Sequence, residues 1–377
     1  MTRGPGSDRP PCGRFEVIVA GGGPAGAVAA LALARAGRRV LLLDGQADTP
    51  AFKVGETLPP AAGPLLRDLG LLSGFTADGH LVCVGTDASW GSAALHERSH
   101  LFDPHGHGWH LDRSRFDAFL RGAAVAAGAC LRQATVMRQV GEAGHRRLLV
   151  REHGVVRELP CEWIVDATGR RAVIGRRRAV RLRQDRLVAA FVVLDRRLPG
   201  ACSGRSADQE LRTIVEAAPA GWWYTVRVPA GRLVAYLTDI DLVGTDLRTS
   251  AGFLDRAART RHVRLRLDGY DLTRPAVPRW SPAHGLRLTP PAGPGWVAAG
   301  DAALAVDPLS SQGILTAMHT GAWAGQVVDL CLSGQTGAIA AYCAFVDRVV
   351  DAYHQHHAES YRHERRWEGA PFWQRRH

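Results

Sequence analysis

Apolar positions along the chain fall into two rhythms, short continuous runs and strict alternation. Phe15-Glu16-Val17-Ile18-Val19-Ala20 is a β-branched run of the kind that forms a buried strand. An Ala/Leu-rich stretch from Ala25 to the neighbourhood of Gly37 predicts a helix, and Arg39 to Leu43 predicts a second strand that ends on Asp44. Similar buried runs recur at Glu162 to Asp166 and at Trp296 to Ala299, with a helix predicted over Ile314 to Leu330. Gly221 to Pro229 and Arg232 to Asp239 alternate instead, which predicts strands of a second, mixed sheet. On one such strand, alternation sets Trp222 and Tyr224 on one face and Trp223 on the other. Met1 to Gly13, rich in Gly, Pro and charge, reads as a loose tail.

Between the first strand and the first helix lies Gly21-Gly22-Gly23-Pro24-Ala25-Gly26. Strand, glycine turn, helix, strand and acid make up one βαβ unit, and the physics suits a dinucleotide. Gly21 permits the tight turn, Gly23 lets the backbone approach a pyrophosphate, and Gly26 lets the helix pack closely on the strand. Pro24 and Ala25 open the helix, whose N-terminus supplies free N–H groups and the positive end of a dipole. Asp44 is placed to accept ribose hydroxyls, which favours an unphosphorylated ribose such as that of NAD or the adenosine half of FAD.

Composition narrows the class further. The 377 residues are 46% hydrophobic and 22% charged, a soluble globular balance that excludes a disordered or collagen-like chain. Lys+Arg exceeds Asp+Glu by 47 − 36 = 11, and Lys53 is the only lysine. The arginines are scattered, with one tight run at Arg176-Arg177-Arg178, so nucleic acid is not an expected partner. No apolar run is long enough to span a bilayer, so no membrane role is expected. Seven cysteines, none in a CxxC pair, read as reduced thiols, and with no signal peptide visible the expected location is cytoplasmic. His105, His107 and His110 lie in a Gly-rich stretch without a cysteine or acid ligand pattern, so a polar loop over the site is expected and no metal.

Three distant segments, the N-terminal glycine turn, the middle Asp166-Ala167-Thr168-Gly169 and the late Gly300-Asp301, together resemble the glutathione-reductase-type FAD fold. More narrowly, the chain resembles single-Rossmann FAD-dependent monooxygenases of the flavin-dependent halogenase-like superfamily. Within it, Gly55 to Pro60, His105 to Arg113, Glu216 to Tyr224, Asp307 to Gly313 and the Arg/Trp-rich tail look most similar to the flavoproteins that mature tryptophylquinone cofactors. The resemblance implies an α/β, two-lobed architecture: a FAD-binding Rossmann domain with an interleaved mixed β-sheet substrate domain. The FAD lobe is expected over 14–80, 112–185 and 285–345, the substrate lobe over 81–111 and 186–284, and a helical tail over 346–377.

The same resemblance assigns roles. Gly169, Gly300 and Asp301 would hold FAD, Asp301 on its ribityl or ribose part, and the Gln312-Gly313 backbone would face the flavin pyrimidine. Lys53, in Lys-Val-Gly-Glu, would contact the cofactor, and Arg113, first in Arg-x-x-Phe-Asp-x-x-Leu, would lie near its phosphates. Glu56 and His110 are candidate catalytic groups by location, and Trp222 and Tyr224 are candidates to line an aromatic substrate pocket.

The implied reaction is hydroxylation of an indole or phenol, in a small metabolite or a Trp/Tyr side chain of a peptide or protein, through O2 and a C4a-hydroperoxyflavin. A halogenase of the known type needs a lysine downstream of the Gly-Glu segment, and this chain has none there. An alkene reductase of the geranylgeranyl-reductase kind and a non-catalytic assembly factor remain alternatives. With no second glycine motif, electrons would come from transient NAD(P)H or from a partner flavin reductase.

Overall fold

The computed structural model describes residues 15–45, 52–141, 145–195, 208–272 and 277–377. The expected N-terminal tail, with Cys12, and Cys202 lie outside the described residues.

The apolar run Val17–Ala20 forms an interior strand of a six-stranded sheet. They pair in parallel with Val40–Asp44 on one side and Trp163–Asp166 on the other. Cys130–Gln133 and Trp296–Ala298 extend the parallel set, and Ala292–Gly293 closes one edge in the antiparallel sense. Val17 and Val19 pack with the helices Pro24–Arg35, Arg113–Ala126, Gly313–Leu332 and Ala338–His363. Ile18 and Ala20 pack on the opposite side with Leu148 and Val150 of a three-stranded antiparallel sheet. Burial on both faces explains why these strands are apolar without alternation.

The alternating segments build a second sheet of seven strands. Its order is Arg279–Pro282, Leu187–Leu194, Gly231–Asp239, Gly221–Val228, Arg212–Ala218, Gly85–Ser89 and His96–Ser99. Only the contact between Arg212–Ala218 and Gly85–Ser89 is parallel. Trp222 and Tyr224 do share one face, and Trp223 packs on the other against Tyr236 and Phe253. The helix Ser250–Ala258 covers the Trp223 face. The chain's last segment covers the Trp222 face: Tyr361, Phe372 and Trp373 are fully buried there.

Among the described residues no helix is long and apolar enough to cross a membrane.

Candidate functional site

Two helix N-termini converge on one cleft. The helix Pro24–Arg35 starts at Gly23 and the helix Gly313–Leu332 starts at Gln312, and neither has a side-chain cap. Their first N–H groups are therefore left to a ligand or to water. Both helices arrive there because they pack backbone to backbone. A Cβ on Gly321 would stand 2.2 Å from the Ala25 carbonyl oxygen, and one on Gly325 would stand 2.8 Å from the Ala32 Cβ.

The glycine turn has the shape the sequence asks for. Gly21 has φ of +114°, and a Cβ there would meet the Ala167 carbonyl oxygen at 2.2 Å. A Cβ on Gly26 would lie 1.8 Å from the Gly21 carbonyl oxygen, so helix and turn touch directly. At Gly23 and Gly313, by contrast, an added Cβ would meet nothing within 4 Å. Protein occupies the space beside Gly21 and Gly26; the space in front of Gly23 and Gly313 is open, as a cradle for a pyrophosphate and a flavin ring requires.

The polar groups around this cleft fit the same ligand. Asp44 stands beside Gly22 and pairs with Arg121 at 3.1 Å, and Arg121 also donates to the Gly22 carbonyl. Sequence reasoning missed Arg121, which follows the Arg-x-x-Phe-Asp-x-x-Leu segment at one helical turn from Asp117. Gly169 and Gly300 both adopt left-handed φ, +63° and +60°, and a Cβ on Gly300 would press on Ala25. Asp166 is a clamp: its fully buried carboxylate accepts from the N–H groups of Thr168, Ile174 and Gly175 and so shapes the turn that carries Gly169.

Asp301 is recessed among protein atoms yet its side chain is 38% accessible, so it faces a cleft. Burial raises its pKa, while Arg170, 3.5 Å away, and Arg113 pull it back. Arg170 was also missed; it immediately follows the Ala-Thr-Gly turn.

Lys53 and Arg113 come together on Asp117, at 2.6 and 3.3 Å. Arg113 also donates to the Gly55 carbonyl at 2.7 Å, so it braces the loop that carries Glu56. Glu56 is 2% exposed and accepts the Gly55 N–H at 2.9 Å. Burial pushes its carboxyl up to about 7, against the backbone N–H groups of Gly55 and Glu56, Arg113 and the Tyr224 hydroxyl. The Tyr224 hydroxyl is itself raised well above its ordinary value, by burial and by Glu56. Phe52, Val54, Phe191 and Leu309 join Tyr224 in one apolar cluster. That cluster spans both loops of the cleft, 52–56 and 307–313, and forms an aromatic-lined wall beside Glu56.

Two candidates are committed to packing. His110 is sealed between strands, its Nε2 3.2 Å from the Thr213 hydroxyl, and burial with Arg232, Arg227 and His100 pushes it down to about 3. Its strand pairs with Thr57–Leu58, directly after Glu56, but the ring is fully buried and neutral at physiological pH, which argues against the catalytic role expected of it. His105 and His107 are exposed. Trp222 is also corrected: its indole donates to the Tyr361 hydroxyl at 3.1 Å and packs against Trp90, which commits it to holding the tail. Tyr361 in turn donates to Asp307 at 2.9 Å, and the Tyr353 hydroxyl accepts the Asp307 N–H at 3.1 Å. The helix Ala338–His363 thereby fixes the loop leading to Gln312 and Gly313. Asp185, Asp307 and His357 group within 4.8 Å, but both carboxylates already accept backbone N–H groups.

Comparison with known proteins agrees with this geometry. A family model described as an FAD binding domain matches residues 14–212. The putative FAD-dependent oxidoreductase LodB of Marinomonas mediterranea is 28% identical over 373 residues, covering 96% of this chain and 97% of that protein. Among solved structures, the myxobacterial chondrochloren halogenase CndH superposes with a TM-score of 0.84 at 22% identity, over 96% of this chain and 85% of that one. The peptidyl tryptophan dihydroxylase QhpG superposes with a TM-score of 0.77 at 23% identity, over 97% and 79%. At these identities the two structures establish the shared fold.

Proposed function

Since the chain belongs to the FAD-binding-domain family and is a FAD-dependent oxidoreductase, we propose that it is a monooxygenase that hydroxylates an electron-rich aromatic, an indole or a phenol. The observation that carries this reading is the position of Lys53. It is the chain's only lysine, and its ammonium is held by Asp117 in the cofactor cradle. The aromatic-lined wall beside Glu56 therefore has no amine to handle hypohalous acid, and it suits oxygen transfer to a ring instead. Tryptophan or tyrosine in a polypeptide is the favoured form of that ring, because QhpG is named a peptidyl tryptophan dihydroxylase and LodB matches this chain nearly end to end.

FAD would be held by the Gly21–Gly26 turn, Asp44, Arg113, Asp301 and the N-terminus at Gly313. When bound and reduced it supplies the electrons and the activation of O2. In the net reaction a ring C–H becomes C–OH, two electrons are consumed, and the second oxygen leaves as water. The protein's own part is positioning and exclusion of water. Phe52, Val54, Phe191 and Leu309 exclude solvent from the reacting ring. Glu56, with a pKa near neutrality, exchanges a proton at its carboxyl group, and Tyr224 orients that group by donating to it. The backbone N–H groups at Gly313 favour negative charge at the cofactor.

The test is to load the protein with FAD, reduce it with dithionite and admit O2. Indoles, phenols, Trp- or Tyr-containing peptides and a polyprenyl alkene are offered with bromide present, and the products are read by mass. Gain of one oxygen is expected. Bromination would overturn the reading in favour of a halogenase, and saturation of an alkene would favour the reductase. The electron source, NAD(P)H or a partner reductase, is bypassed by dithionite.

A further inference from the structure

Beside the cofactor cleft, four arginines gather, and among the described residues only Arg170 is paired with an acid. Arg170 links them to the site: it reaches Asp301 at 3.5 Å, donates to the His284 carbonyl and accepts from Arg181 on its own carbonyl. Arg181 and Arg183 come from the strand Val180–Arg183, and Arg176 from the turn just before it. Among the described residues no carboxylate pairs with Arg176, Arg181 or Arg183. The crowding is felt chemically. Burial and then Arg176, Arg170 and Arg183 lower the Arg181 pKa, and burial with Arg183, Arg170 and Arg181 pushes His284 down to about 4.

The strand that carries them is an edge. It pairs only with Leu286–Thr289, as the outer member of a three-stranded sheet. The phase of the ladder shows which groups are left over. Gln184 N–H donates to Gly285 on the paired side, whereas Leu288 N–H donates away from this strand to Ala303. In an antiparallel ladder alternate residues turn inward and outward, so the backbone groups of Arg181 and Arg183 face the free side. Val180 and Leu182 between them are 62% and 51% exposed. Charge on an edge often serves only to block pairing. Here the guanidinium of Arg181 folds back onto the Arg170 carbonyl, which leaves the edge itself open.

We propose that the edge Val180–Arg183, with Arg170 and Arg176, docks an acidic, extended segment of the polypeptide whose aromatic side chain is oxidised. The segment would add as a further strand, main chain to Arg181 and Arg183, with its carboxylates meeting the arginines. The net charge of +11 steers such a partner in the same direction. This rests on the polypeptide form of the reading above.

The probe is a short, labelled, Glu-rich peptide containing one tryptophan, titrated by fluorescence anisotropy onto FAD-saturated protein. Arg181→Glu/Arg183→Glu should weaken binding about tenfold, roughly 1.4 kcal/mol. Arg67→Glu/Arg264→Glu, which changes the net charge equally at distant exposed positions, should change it less than about twofold. A peptide of the same charge, N-methylated at alternate residues, should bind as weakly as the wild-type peptide binds the edge variant. Equal losses in both charge variants, or no effect of N-methylation, would overturn strand docking. So would displacement of the peptide by NADPH whose own affinity falls in the edge variant, which would make this a nucleotide site. Melting temperature and FAD content check that the variants fold. Oxidation is read separately by mass: a peptide bound but never oxidised refutes the enzymatic reading and leaves the surface standing. Oxidation unaffected by Arg181→Glu/Arg183→Glu refutes the surface alone.

Discussion

The Glu56 carboxyl group carries a pH dependence that follows from where it sits. Its pKa rises from 4.5 to about 7 on folding, chiefly through burial. The fold therefore favours the protonated form, and the stability tied to it is fully present below pH 4.5, declines as pH rises to about 7, and is flat beyond. Glu56→Gln should remove that decline, so that unfolding free energies of variant and parent, from urea titrations, diverge by up to about 3 kcal/mol between pH 5 and 8. His110 runs the opposite way. Its pKa falls from 6.5 to about 3, so its contribution is present above pH 6.5 and is lost as pH falls toward 3. His110→Asn should flatten the acid limb of the stability profile and leave FAD content unchanged. Glu56 was legible in the sequence because Lys-x-Gly-Glu is local. Its partner Tyr224, and the Asp44–Arg121 and Asp301–Arg170 pairs, were not legible as contacts, since each joins residues from separate elements whose meeting only tertiary packing decides.

Elements show a sharper division of labour among the glycines. Gly23 has an ordinary φ of −76° and open space in front of it, whereas Gly26 touches the Gly21 carbonyl. Gly23→Val should thus fold with nearly unchanged thermal stability and lose FAD, read as flavin absorbance per protein. Gly26→Val should lose both, because the helix must lift off the turn. Gly321→Val should behave like Gly26→Val, since its Cβ has no room against Ala25. The first contrast could be anticipated from the glycine turn, whose three roles are a matter of spacing. The second could be found only weakly: Gly321 and Gly325 lie one helical turn apart, but nothing in the sequence says that Ala25 and Ala29 face them.

For the molecule as a whole, the two sheets were readable because continuous apolar runs and strict alternation are distinct patterns. The cover over the Trp222 face was not. The expectation that Trp222 lines the pocket failed because Phe372 and Trp373, which have no helical or strand period around them, come back to bury it. Trp373 donates from its Nε1 to the Ala218 carbonyl at 3.0 Å, and Arg375 and Arg376 pair with Asp239 at 2.8 and 2.7 Å. Trp373→Ala should therefore cost about 3–5 kcal/mol of stability, measured by chemical denaturation, far more than the exposed Trp323→Ala.

That late cover also has a consequence during synthesis. The strands of the seven-stranded sheet that meet the tail are complete by Asp239, while Phe372 and Trp373 follow more than a hundred residues later. At ordinary elongation rates of ~5–20 residues per second, on the order of ten seconds pass with Trp222, Leu233 and Leu237 lacking their lid. A nascent chain with a bare apolar sheet face is what chaperones bind, so slow translation of the final helix should raise the aggregated fraction, and co-expressed chaperone should restore the soluble yield.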